Sequence, residues 1–264
     1  MLRAFIRMNQ RCCAWLEPHL PTARRHTYKI YTEVAAEHAN RPEVRLAVDI
    51  GGGKTCAYVP ATAARQDLRI IAIDISPAEL RHNHDVNARM VSDVTCGLPL
   101  RDASVDLMTS RSVLEHLTNL EAFLREAQRI MRPGGYFIHW IPCKFAPFAL
   151  INQALPNWLA KKVLYYIEPD VQGICGFPAK YDRCYPAALR RLLDAAGFEI
   201  ISLKPSYFQR YFSFFVPLFL MNALYELILQ GLGAENLCAH ALIVARRRKD
   251  HENQLRSGQQ PQGG

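Results

Sequence analysis

Short apolar runs alternate with amphipathic stretches along most of this chain. The runs fall at 44–50, 69–75, 89–92, 104–109, 136–141, 198–203 and 237–245, and each reads as a strand. Helical signals separate them. Ser76-Pro77 offers an N-cap followed by a residue whose fixed φ suits a first helical turn. A helix predicted from Leu120 to Met131 meets Pro133-Gly134-Gly135, a stop-and-turn signal. Another starts at Pro186 and ends at Ala196-Gly197. A weaker helical stretch is expected after the glycines at 51–53. Strands alternating with helices predict a Rossmann-like α/β fold: a seven-stranded, mostly parallel sheet with helices on both faces, plus helical insertions.

The organisation follows from the same pattern. Residues 1–40 read as an N-terminal helical segment. Phe5, Ile6, Cys13, Trp15 and Leu16 stand among arginines, Pro18 and Pro21 interrupt, and a second helix runs from about Ala23 to His38. Residues 41–245 read as one α/β domain. Two connections in it, 143–185 and 206–235, exceed the short loops such folds use, and both leave the carboxyl side or edge of the sheet, where these folds bind ligands. The polar tail 246–264, with repeated Gln and Gly, reads as disordered.

Composition narrows the function. The net charge of +8 is concentrated in Arg3, Arg7, Arg11, Arg24 and Arg25 at one end and Arg246 to Lys249 at the other. No aromatic-interleaved basic motif accompanies it, so no nucleic acid is expected. The eight cysteines form no Cys-x-x-Cys pair and no zinc spacing, so no metal is expected, and the thiols read as reduced and cytoplasmic. Arg3, Arg7, Asn9, Gln10 and Arg11 break any apolar leader, so no cleaved signal is expected.

The most chemical stretch is Leu46 to Thr55, an apolar strand ending in Asp49 and then turning on Gly51, Gly52 and Gly53. Glycine lets a ligand approach bare backbone. A phosphate-binding P-loop would need a glycine at Val48. A dinucleotide fingerprint would need one at Cys56. Asp49 opposes phosphate in either case. It suits a ligand bearing an ammonium and a sulfonium. Asp74, ending the second strand, can accept both hydroxyls of a ribose. Asp93, after the third, can accept from an adenine amino group.

With these acids in place, the chain resembles the class I S-adenosylmethionine-dependent methyltransferases, in particular bacterial small-molecule and quinone methylases. The matching pieces are Val48-Asp-Ile-Gly-Gly-Gly53, Ile73-Asp-Ile-Ser-Pro77, Asp93 with Leu98-Pro-Leu-Arg-Asp-Ala-Ser-Val-Asp106, Ser112-Val-Leu-Glu-His-Leu117, Arg129-Ile-Met-Arg-Pro-Gly-Gly-Tyr136 and Leu192-Leu-Asp-Ala-Ala-Gly-Phe198. Thr55 departs from a third glycine found in many members. The resemblance implies S-adenosylmethionine as cofactor, held by Asp49, Gly51, Gly53, Asp74, Ile75, Asp93, Val94 and Ser110.

Methyl transfer is an in-line displacement, and an acceptor that loses a proton needs a base. His116 is the candidate; the alternative is that Glu115 and His116 cap or pack the next helix. His139, inside a strand, reads as a core residue. Tyr181, Arg183 and Tyr185 line the acceptor pocket, or else Asp182 and Arg183 pair on the surface. Phe145, Phe148, Trp158, Tyr165, Tyr166 and Phe177 read as a lid over an apolar or ring-bearing acceptor, or as the core of a helical subdomain.

Residues 211–229 contain one charge, Glu226. Both ends of this run must return to one sheet, so a buried or interfacial helix is expected rather than a membrane span. The resulting expectation is a methyltransferase for a small or amphiphilic acceptor, lipid-linked, saccharide or quinone-like. Peripheral membrane contact runs through 206–235. The alternative is a soluble enzyme that buries this segment. Two other functions stay open: a silent S-adenosylmethionine-binding or scaffold protein, and a nicotinamide-dependent oxidoreductase.

Overall fold

The computed structural model describes residues 1–24, 26–167 and 178–249. Seven strands form one sheet: β1 Leu46–Ile50, β2 Arg69–Asp74, β3 Ala88–Val91, β4 Val105–Arg111, β5 Met131–Pro142, β6 Phe198–Ser206 and β7 His240–Arg247. Their order is β3-β2-β1-β4-β5-β7-β6. All neighbours are parallel except β7, which runs antiparallel to both β5 and β6. The direction of travel along the sheet reverses at β1, where chain order turns outward to β2 and β3 on one side and β4 and β5 on the other. Ligands of open α/β sheets sit at such a switch point, beyond the carboxyl ends of the strands.

Side-chain alternation divides the core into two layers. Val48, Ile50, Met108, Phe137 and Ile141 face one way, packing with α5 (Leu120–Ile130) and α8 (Pro186–Ala195). Ala47, Leu107, Tyr136, Ile138 and Trp140 face the other, under α3 (Thr27–Ala39). The buried face of α5 is Leu120, Phe123, Leu124, Ala127 and Ile130, and Asn119 caps it by accepting from the Ala122 amide at 2.9 Å. Ahead of α3 lie α1 (Leu2–Leu16) and α2 (Pro21–Arg24). The first long connection holds α6 (Pro147–Ala154) and α7 (Asn157–Ile167); the second holds α9 (Val216–Gly231). Between β2 and β3 lies the single turn α4 (Pro77–Leu80), whose N-cap Ser76 accepts from the Glu79 amide.

Three local expectations are corrected. No α-helix follows the glycine turn: residues 51–68 are turns with a short 3₁₀ segment, Val59–Thr62. Three glycines and Pro60 leave too little helix-forming sequence, and Cys56 and Tyr58 instead plug the α3 face of the sheet. Pro133-Gly134-Gly135 does not separate a helix from a strand. It lies within β5 as an irregularity, since Val105 pairs with Met131 while Leu107 pairs with Tyr136. Arg246 and Arg247, placed in the tail on charge, end β7, and Arg247 is buried. The tail from 250 onward and Phe177 lie outside the described residues. Among the described residues no helix is long and apolar enough to cross a membrane, and no group of His, Cys, Asp or Glu could hold a metal ion. Cys12 and Cys96 are exposed, while Cys13, Cys56, Cys143, Cys184 and Cys238 are buried thiols.

Candidate active site

Strand register gathers the predicted residues along one edge. Asp49 pairs across to Ala72 and Thr109, Ile50 to Ser110, and Asp74 to Val91. The carboxyl ends of β1, β2 and β4 therefore stand side by side. The amide of Ser92, just after β3, donates to the Asp74 carbonyl at 3.1 Å, which draws Asp93 to the same rim.

The glycine turn is tightly tied. Gly51 has φ +65°, and a Cβ there would meet Val113 Cγ2 at 2.2 Å. Gly53 has φ +35°, but a Cβ there would meet only ordinary contacts, so its demand is on backbone conformation alone. The amides of Gly51 and Gly52 both donate to the Ile73 carbonyl, at 2.7 and 3.2 Å. The Gly53 amide donates to Asp74 Oδ2 at 3.1 Å. Asn83 holds the turn from outside, donating to the Gly52 carbonyl at 2.7 Å. All three glycine amides are thus engaged within the protein, and the groups that face a ligand are carboxylates.

Each acid has its own setting. Asp49 is 7% exposed. It accepts from Thr109 Oγ1 at 2.7 Å, and burial pushes its pKa up to about 6, opposed by the Thr109 and Cys56 hydrogen bonds and by Arg111. Tyr31 of α3 and Tyr58 close around it, and desolvation first, then the nearby charge of Asp49 or Cys56, raises both phenols well above their ordinary value. Asp74 is half-buried and also accepts from the Ser76 amide at 2.8 Å. Beside it Ile75 is an apolar side chain 54% exposed. Asp93 is exposed, and Oδ1 accepts from the Thr95 amide and hydroxyl at 2.9 and 2.7 Å, which lower its pKa. Val94 is buried next to it.

Ser110 stands at the expected strand end. Its side chain is fully buried, with Oγ 2.5 Å from His139 Nδ1, so the hydroxyl is engaged between β4 and β5. His139 is the core residue the strand pattern predicts. Burial drops its pKa well below the usual range, which keeps the ring neutral.

The turn after β4 is held from above by the far end of the first long connection. Glu115 and His116 lie in a 3₁₀ turn, Leu114–His116. The Glu115 carbonyl accepts from the amides of Lys180 and Tyr181, at 2.6 and 2.9 Å. His116 Nδ1 sits 3.2 Å from the Pro178 carbonyl, and Nε2 sits 3.7 Å from Glu115 Oε1. Because a carbonyl only accepts, the proton is on Nδ1 and Nε2 carries the lone pair. Burial lowers the pKa of His116, so the imidazole is neutral near pH 7. Ser112, Tyr181 and Arg183 all have positive φ, at 55°, 51° and 53°. Left-handed non-glycine residues carry local strain, and here three of them flank one turn.

Sequence reasoning missed Glu115. It is 3% exposed, its carboxyl pKa rises to about 8 through burial, and Oε2 has no hydrogen-bond partner among the described residues. The signal was in view, an acid directly beside a candidate base, but nothing in one dimension shows that it points inward. Of the acceptor-side candidates, Tyr181 is buried, while Tyr185 is half-buried with its ring 5.1 Å from that of Phe145. Arg183 ion-pairs with Glu121 and Asp182 at 2.5 and 3.2 Å, so its charge is already matched. A ring cluster also lies at these strand ends. Trp140 of β5 stacks on His240 of β7 at 4.5 Å, Tyr28 meets Trp140 edge-on at 5.3 Å, and Phe148 stacks on Tyr211 at 4.3 Å and on His240 at 5.6 Å. Arg111, ending β4, donates to the Tyr28 hydroxyl at 3.0 Å.

Comparison with known proteins agrees with this geometry. The family described as "Methyltransferase domain" matches residues 48–139, the span from β1 to β5. The chain is 36% identical over 120 residues to a "Probable S-adenosylmethionine-dependent methyltransferase" of Mycolicibacterium smegmatis, covering 44% of this chain and 43% of that protein. It is 30% identical over 167 residues to a ubiquinone/menaquinone biosynthesis C-methyltransferase of Rubrivivax gelatinosus, covering 58% and 62%. The chain thus spans about half the length of the curated relatives it matches. Among solved structures, the [4+2]-cyclase SpnF shares the fold at TM-score 0.52 and 18% identity, over 82% of this chain and 80% of that one. A geranyl diphosphate methyltransferase in complex with GPP and sinefungin does so at 0.51 and 15%, over 83% and 77%.

Fold and matched domain define the class: a class I methyltransferase domain. Over residues 48–139 the chain is similar to S-adenosylmethionine-dependent methyltransferases, whose cofactor the acids of this rim fit.

Proposed function

We propose that this chain transfers the methyl group of S-adenosylmethionine to a small acceptor with an apolar or ring-bearing body. The observation that supports it most is the glycine turn. A dinucleotide or nucleoside triphosphate site offers free backbone amides to phosphate. Here the amides of Gly51, Gly52 and Gly53 are taken by Ile73 and Asp74, and the ionisable groups at the turn are the carboxyls of Asp49 and Asp74.

In this reading Asp49 takes the cofactor's ammonium. Asp74, with lone pairs left on each oxygen, takes the ribose hydroxyls. Ile75 covers one adenine face, and Asp93 with Val94 meets the adenine edge. The cofactor supplies a methyl group made electrophilic by its sulfonium. The chain's own part is to align the acceptor and to take its proton. His116 suits that task, since its neutral ring directs a lone pair from Nε2 beside the protonated form of Glu115.

The rings of Tyr28, Trp140, Phe148 and His240 support an acceptor with an apolar or aromatic body. The relative from Rubrivivax, named for quinone biosynthesis, favours a quinone-like or lipid-linked molecule over a saccharide. Such an acceptor would be met at a membrane surface, and the 206–235 connection is the segment proposed to make that contact. A second reading is kept by one comparison: a cyclase shares this fold, so the fold alone does not require methyl transfer.

Calorimetry with S-adenosylmethionine tests binding, and a labelled methyl donor with cell extract, separated into lipid, glycan, protein and small-molecule fractions, tests turnover. Heat with the cofactor and label in a lipid or small-molecule fraction, with S-adenosylhomocysteine formed, is expected. Heat without any labelled product would favour the silent binder. Heat only with a nicotinamide dinucleotide would reverse the assignment.

A further inference from the structure

The helix α9 is built inside out. Its buried face holds Asn222 and Glu226 beside Phe219, Ala223 and Leu229. These polar groups hydrogen-bond to residues of the segments packed against them. Gln209 Nε2 donates to Asn222 Oδ1 at 2.9 Å, and Asn222 Nδ2 and the Gln209 amide donate to Glu226 Oε1 at 2.6 and 3.1 Å. Thr22 Oγ1 donates to Glu226 Oε2 at 3.0 Å. The outward face carries Leu220, Met221, Leu224, Tyr225, Leu227 and Ile228, all exposed, and no charged residue. A helix whose outer face meets water has the opposite arrangement. An apolar stripe of this length on a surface marks an interaction site.

The neighbouring helix extends the stripe. The Val216 amide donates to Asn9 Oδ1 of α1 at 2.9 Å, and the rings of Phe5 and Phe215 lie 6.4 Å apart. The helix α1 turns Ile6, Asn9 and Cys13 inward. Outward it shows two adjoining stripes. Leu2, Phe5, Met8 and Trp15 form one, with Trp15 72% exposed; Arg3, Arg7 and Arg11, at successive i, i+4 positions, form the other. Arg7 and Arg11 make no ion pair among the described residues. Arg3 lies over the Tyr166 ring of α7 at 5.6 Å.

We infer that α1 and α9 together form one face that seats on an anionic lipid bilayer, with the apolar stripes in the headgroup–acyl boundary and the arginine stripe on lipid phosphates. Charge decides the occupant. A protein partner's interface core is depleted of charge without needing a matching run of cations, whereas a row of arginines flanking an apolar stripe is the pattern that an anionic membrane surface binds. The polar network under α9 is what lets the helix keep its apolar side outward, since Asn222 and Glu226 on its buried side both have hydrogen-bond partners. This deepens the proposed membrane contact of 206–235 and rests on the acceptor reading only for its purpose, delivery of an amphiphilic acceptor.

Flotation of the full chain with phosphatidylcholine vesicles, with and without phosphatidylglycerol, tests it. Binding is expected only when phosphatidylglycerol is present. Leu224→Ser with Ile228→Ser should weaken that binding by about tenfold or more. Arg7→Gln with Arg11→Gln should remove the preference for phosphatidylglycerol by a similar factor. Calorimetry with S-adenosylmethionine should be unchanged in both variants, since none of the four residues touches the cofactor rim. Wild-type vesicle binding without cofactor binding would sink the methyltransferase reading and leave the lipid face standing. Absence of wild-type vesicle binding would overturn the lipid face. So would a dimer that Leu224→Ser with Ile228→Ser dissociates while vesicle binding stays absent, because the face would then belong to a second copy of the chain.

Discussion

Thr109 Oγ1 donates to Asp49 Oδ1 at 2.7 Å, so β4 holds the acid that ends β1. Without this bond a buried carboxylate would have little reason to remain ionised, and burial still raises its pKa to about 6. A ligand ammonium brought beside Asp49 would reverse that shift by favouring the charged form.

Cofactor affinity should therefore follow the ionisation of Asp49. In the free protein the acid is protonated below about pH 6, so S-adenosylmethionine affinity should fall as pH drops through 6 and level off above it. Binding near pH 5.5 should release a proton, which calorimetry in buffers of different ionisation enthalpy detects. Asp49→Asn should weaken binding by at least about tenfold and flatten the pH profile, the loss expected of one charge-assisted contact. An unaltered profile in this variant would remove Asp49 from the ammonium site.

Glu115 should set a pH dependence of stability. Its folded pKa is about 8 against an ordinary 4.5, so the folded state binds the proton more tightly than the unfolded chain. Between these values stability falls as pH rises, and the loss is complete above 8. The drop is on the order of 5 kcal/mol, since each pKa unit is worth about 1.4. Asp49 adds a fall of the same sign between its unfolded value near 3.8 and about 6. Glu115→Gln should keep the fold and remove the upper part of the slope. Denaturant melts from pH 6 to 9, compared with wild type, measure this; equal slopes would show that Glu115 meets solvent or a partner when folded.

Gly51→Ala should cost about 2–4 kcal/mol, since φ +65° disfavours a Cβ by ~1–2 kcal/mol and Val113 Cγ2 blocks its place. Val113→Ala alone should be milder. Combined, the two should be less destabilising than their sum, because the clash is gone and only the backbone strain remains. A double-mutant cycle by urea denaturation reads the coupling. Strict additivity would mean that the two side chains do not meet.

His116→Ala should leave S-adenosylmethionine affinity within about twofold and lower kcat by roughly 10²–10⁴, the usual range for a lost general base. His116→Asn, which keeps a polar group of similar bulk, should not rescue it. The measurement is initial rate against pH with an acceptor obtained from the labelling experiment. A variant with a lower melting temperature and near-normal kcat would assign the imidazole to packing on Pro178 alone.

Much of the sheet was legible because its determinants are local. The apolar runs, the Ser76-Pro77 cap and the Asn119 helix start depend on neighbours in sequence. Errors arose where distant contacts outweighed local signals. Gly134 and Gly135 look like a terminator, yet pairing with β4 at Met131 and again at Tyr136, where β7 also joins, carries β5 across them. Ser110 was placed at the right strand end, but only the position of His139 on the adjacent strand shows that its hydroxyl is already engaged. For Arg183 the sequence left open pocket lining or a pair with Asp182, and only the fold brings Glu121 of α5 within reach of it as well.

Order along the chain was enough to determine the class of fold, the row of acids at successive strand ends and the turn of glycines between them, since these rest on period-two patterning and on residues whose chemistry is intrinsic. Only the tertiary structure decided which groups are buried, and with that their charge: Asp49 held by Thr109, Glu115 kept protonated, Glu226 turned inward while Leu220, Leu224 and Leu227 of α9 face out. Burial is a property of what packs against a residue, and for these three the partners come from strands and helices far away in the chain.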